Sequence, residues 1–138
     1  MTAYKLAERF INVKEIAGAA SNPLVLAMLR LDDAWPEGDD VPWCSAFVNF
    51  ITWMLRLPRS KSLAARSWLE VGHPITIEQS EPKNDIVILE RGTMAGHVGF
   101  YAGRDLRVVH ILGGNQQDRV NVSVFSVERI IGVRRLKA

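Results

Sequence analysis

The sequence has a single cysteine, Cys44, among 138 residues, which excludes an internal disulfide. The CxxC and HExxH spacings of familiar zinc sites are missing too. No apolar run reaches the roughly 18 residues of a membrane-spanning helix, and membrane insertion is not expected. The N-terminal stretch MTAYKLAERFINVKEIAG alternates charged and apolar residues and lacks the continuous apolar core of a signal peptide. Charge of one sign is also scarce, with 17 Lys and Arg against 15 Asp and Glu. The basic residues gather at Arg56, Arg59, Lys61 and Arg66 and again at Arg134, Arg135 and Lys137. No basic helix or paired aromatic platform accompanies them, so nucleic acid is not an expected partner.

What is present suits one globular domain spanning 1–138. Apolar residues make up 48% and charged residues 23%, ordinary values for a chain that buries a core. Leu6, Phe10, Val13, Ala17 and Ala20 fall three or four apart, which predicts a helix over about 3–19. Asn22 followed by Pro23 is a helix start signal, and the helix it opens should end near residue 31. After a loop rich in Asp, Glu, Gly and Pro, an apolar helix is predicted over about 43–55. A fourth helix should precede Gly72. Beyond Pro74 the period shortens, and strands are expected at about 86–89, 97–102, 108–112, 120–124 and 131–136. Helices first and short strands later predict an α+β fold: N-terminal helices (about 3–72) packed on an antiparallel sheet of about five strands (about 84–136).

Cys44 falls in the first turn of the third predicted helix. There the unpaired N–H groups and the helix dipole favour a thiolate; a small buried core residue is the competing reading. In GHVGFY, an extended backbone turns His97, Gly99 and Tyr101 to one face and Val98, Phe100 and Ala102 to the core. A Cys and a His on separate elements make up the pair needed for acyl transfer. Asn115 in GGNQQD is placed to fix the histidine tautomer as the third member of a triad; as a good turn former it would also stand there without any chemistry. Gln116 is a possible substrate donor, as are Trp43, Ser45 and Asp40. Asp39 and Asp40 also read as capping or loop residues.

Taken together, PWCSAFVNF, KNDIVIL, GHVGFY and ILGGNQ resemble a bacterial and phage family of small CHAP or NlpC/P60-like cysteine peptidases, endolysin-type enzymes among them. The resemblance implies a papain-like core without cofactor or catalytic metal, with Cys44, His97 and Asn115 as catalytic residues and peptidoglycan as substrate. It leaves open whether the bond cut is that of an endopeptidase or of an N-acetylmuramoyl-L-alanine amidase, and a non-catalytic phage structural or wall-binding protein is the alternative. Two departures stand out. Gly113 occupies the position where many CHAP sites carry Glu, and Asn84 precedes Asp85 where a Gly-Asp turn is usual. Under this resemblance the protein is a monomer made in the bacterial cytoplasm. It would act in the periplasm or cell wall after phage- or secretion-dependent delivery, with a separate targeting, export or immunity protein as a possible partner.

Overall fold

The structure is a computed structural model and describes residues 1–16, 22–32, 43–93 and 95–137. Helix α1 spans Ala3–Glu8, with the Thr2 side chain accepting from the Lys5 N–H at its start. It is shorter than the sequence period predicts. Asn12 takes a left-handed φ of 78°, a conformation that Asn tolerates better than most residues. The chain then runs along the sheet: the Asn12 N–H bonds to Val120 O, and the Val120 N–H bonds to Val13 O. Pairing with an exposed strand edge therefore outcompetes the helix. Phe10 and Val13 still pack on the core.

Helix α2, Pro23–Leu29, starts as expected, with Asn22 Oδ1 accepting from the Leu24 N–H at 2.9 Å and Pro23 in the first turn. Helix α3, Cys44–Leu55, buries eight side chains and ends at Arg56 in a left-handed conformation. Phe47 of α3 meets Phe100 edge-on at 6.2 Å and Phe10 at 6.1 Å. A fully buried aromatic of this size contributes about 1.5–3 kcal/mol. The predicted fourth helix is a 3₁₀ segment, Ala65–Glu70.

Six strands follow: β1 His73–Pro74, β2 Asp85–Arg91, β3 Ala95–Arg104, β4 Val108–Gln116, β5 Arg119–Ser126 and β6 Ile130–Arg135. They form one sheet in the order β1-β6-β2-β3-β4-β5, with every neighbouring pair antiparallel. The added strand is the two-residue β1. Ile86, Ile88, Val98, Phe100 and Leu112 face the helices. Val87, Leu89, Tyr101, Val109, Ile111 and Val133 form a second cluster on the opposite face. With both faces covered, the apolar run through β2 is accounted for. Asp85 is 2% exposed and accepts both Nε and Nη2 of Arg135 at 2.9 Å as well as the Glu81 N–H, so it pins the turn into β2. Among the described residues, no helix is long and apolar enough to cross a membrane.

Candidate active site

His97 lies near the start of β3, opposite Leu89 of β2. On its other side, β4 pairs Phe100 with Leu112. Carried on without interruption, that register would set His97 opposite Asn115. The ladder breaks instead. The β4–β5 register shifts between Gly113 and Gln116, and Asn115 adopts a left-handed φ of 57°. One left-handed residue reverses the in–out parity of the strand. Gln116, not Asn115, therefore reaches the ring, with Oε1 2.8 Å from His97 Nε2.

The orientation of that carboxamide follows from its surroundings. Gln116 Nε2 donates to Ile111 O at 3.0 Å, Asn121 O at 2.8 Å and Asn121 Oδ1 at 2.8 Å. Three acceptors hold the amide nitrogen away from the histidine, so Oε1 must accept from the ring. His97 Nε2 then carries the proton, and Nδ1 is the only nitrogen of the neutral ring with a free lone pair. That nitrogen is the one the ring has left to accept a proton. Gln116 is 5% exposed and its carboxamide is engaged at both ends, holding the ring in place.

Gly113 makes the contact possible. A Cβ there would lie 2.6 Å from Gln116 Oε1 and 3.5 Å from His97 Nε2. The glycine that departs from the CHAP pattern is the space this chain's orienting amide occupies. Gly114 serves a different approach, since a Cβ would lie 2.8 Å from both Phe47 Cβ and Trp43 Cε3. The start of α3 is thereby seated directly on β4.

Cys44 opens α3, and its sulfur is approached by the backbone N–H groups of Val98 and Ser45 and by its own. The cysteine thus sits beside the residue that follows His97. The expected thiolate is not favoured at rest. Cys44 is only 4% exposed, and burial pushes its thiol up, outweighing the N–H groups and the Arg91 cation that pull the other way. His97, 3% exposed, moves in the opposite direction: burial lowers it to about 4, the Gln116 hydrogen bond opposes this, and Arg91 and Arg129 add to the lowering. At rest Cys44 is a neutral thiol and His97 a neutral imidazole, because desolvation disfavours both charged forms. The sulfur at the start of the helix is closed off from solvent.

Two other candidates are buried. Trp43 is fully buried, and its Nε1 donates to Glu15 Oε1 at 3.1 Å. Ser45 is also fully buried; its hydroxyl donates to Ser62 O at 2.6 Å and accepts from Trp68 Nε1 at 2.9 Å. Neither side chain is exposed to a substrate; both tie α3 to its surroundings. Asp39 and Asp40 lie outside the described residues. Sequence reasoning did not find Phe125, whose ring lies 5.2 Å from the His97 ring at an interplanar angle of 33°, nor Arg91 and Arg129. Among the described residues, no three His, Cys, Asp or Glu side chains converge to hold a metal.

The arrangement of helices and strands has counterparts among solved structures. The chain aligns over 99% of its length with NlpC1 from Trichomonas vaginalis, at a TM-score of 0.60 and 16% identity. It aligns over 97% with an NlpC/P60 family protein from Bacillus cereus, at a TM-score of 0.52 and 17% identity. It spans 44% and 39% of those two chains. The protein has the NlpC/P60-like α+β fold. Comparison with protein-family models and with curated proteins finds no match.

Proposed function

We propose that the protein is a cysteine hydrolase that cleaves an amide or peptide bond in the stem peptide of bacterial peptidoglycan. The observation that carries this reading is the His97–Gln116 hydrogen bond. It commits the Nε2 proton and leaves Nδ1 as the base, on a fold shared with NlpC/P60 proteins. Substrate binding brings the neutral pair into play: His97 Nδ1 takes the Cys44 proton as the sulfur attacks the scissile carbonyl. Backbone N–H groups at the start of α3 stabilise the oxyanion. The imidazolium then protonates the departing amine. Water, deprotonated by the regenerated imidazole, releases the acid product and restores the thiol. Such a substrate places the site of action in the periplasm or cell wall.

Cys44→Ala tests the reading directly. The variant should fold and release nothing from purified peptidoglycan, while the wild type releases products identifiable by mass. Fragments of the stem peptide indicate an endopeptidase, and whole stem peptides freed from glycan indicate an amidase. Equal release by the variant would overturn the proposal. The near-complete burial of Cys44 favours a second reading, a non-catalytic wall-binding or phage structural protein. That reading predicts no release by either protein.

A further inference from the structure

A cavity of about 430 Å³ opens beside His97, and its lining includes Arg91 and Arg129 but no acidic side chain. Arg91 ends β2, and Arg129 closes the 3₁₀ turn Val127–Arg129 before β6. Arg129 is held in place: its Nε and Nη2 donate to Glu90 O at 3.2 and 3.1 Å, and its guanidinium lies 5.4 Å over the Phe125 ring. Among the described residues, neither arginine forms an ion pair with a carboxylate. Glu90 and Glu128, the nearest acids in sequence, are exposed. Both cations are close enough to His97 to oppose its protonation. Two guanidinium groups left unneutralised at one opening repel each other and attract an anion, and their planar donor forks match a carboxylate.

We propose that this cavity is a carboxylate subsite, in which Arg91 and Arg129 hold a free carboxylate of the peptide whose scissile bond lies at Cys44. Substrates in which that carboxyl group is a carboxamide are disfavoured. The inference rests on the peptidase reading and names residues that select among its substrates. Phe125 completes the subsite with an apolar wall, and the exposed Arg91 supplies a cation at its rim.

Binding can be measured without turnover. Cys44→Ala protein is titrated calorimetrically with a synthetic stem peptide bearing free carboxylates and with the same peptide fully amidated. The free acid should bind about tenfold more tightly, the scale of one charge-assisted contact. Adding Arg91→Gln or Arg129→Gln should each shrink the preference to about twofold or less, and Lys at either position should restore part of it. Equal affinity for the two peptides, no binding of either, or a preference that survives both glutamine substitutions would overturn the subsite. Wild-type digestion of peptidoglycan is read separately: binding preference without any turnover refutes the hydrolase and leaves the subsite standing.

Discussion

The carboxamide oxygen of Gln116 accepts a 2.8 Å hydrogen bond from Nε2 of His97. That contact exists because Asn115, one residue earlier, turns left-handed. The amide that meets the His97 ring is therefore one position beyond Asn115.

Gln116→Ala should lower kcat about tenfold to a hundredfold, the range for loss of a partner that fixes a histidine tautomer. Asn115→Gly, which accepts the left-handed φ without strain, should change kcat by less than about threefold. Steady-state hydrolysis of a synthetic stem peptide checks both, and the reverse ranking would return the orienting role to Asn115.

The adjacent glycines should separate activity from stability. Gly113→Ala forces its methyl against the Gln116 oxygen and should cost about tenfold or more in kcat through the displaced amide. Gly114→Ala meets Phe47 and Trp43 and should destabilise the fold by about 1–3 kcal/mol as overpacking. Urea unfolding and turnover, measured on both proteins, distinguish the two effects.

Ser45→Ala leaves the buried Trp68 indole N–H without its acceptor, an unsatisfied donor that costs about 1–3 kcal/mol. Chemical denaturation should show that loss. Because the Ser45 side chain has no proposed catalytic role, turnover per folded molecule should stay near wild type.

His97 ties stability to pH. Its folded value of about 4 lies below the ordinary 6.5, so the unfolded chain binds the extra proton first. The stability it contributes is complete above about pH 6.5 and is lost as pH falls towards 4. Between pH 7 and 4.5 the wild type should lose about 2 kcal/mol more than His97→Gln. Urea titrations at the two pH values measure the difference, and parallel losses would show that His97 is not held neutral. As the base must be unprotonated, the acid limb of kcat/KM should fall near pH 4.

The sequence by itself determined the elements whose causes are local. Asn22 and Pro23 start α2 because a side-chain acceptor and a fixed φ act within one turn. Apolar spacing places α3 with Cys44 at its head, and short apolar segments between turn residues locate the five longer strands. His97 belongs to the same local pattern, one step before Val98 on the opposite face. The 3₁₀ form of Ala65–Glu70 and the early end of α1 depended on contacts further away, as Val13 and Val120 show by pairing across the sheet edge.

Only the tertiary structure decided which amide meets His97 and which protonation state Cys44 and His97 hold. A single left-handed residue reverses which side chains face the ring, and both Asn115 and Gln116 are compatible with the local turn. Burial likewise depends on everything packed around a group, and here it outweighs the helix-start N–H groups that pull Cys44 towards the thiolate. Arg91 and Arg129 are about forty residues apart in the chain and meet at one cavity only because β2 and β6 are neighbours in the sheet.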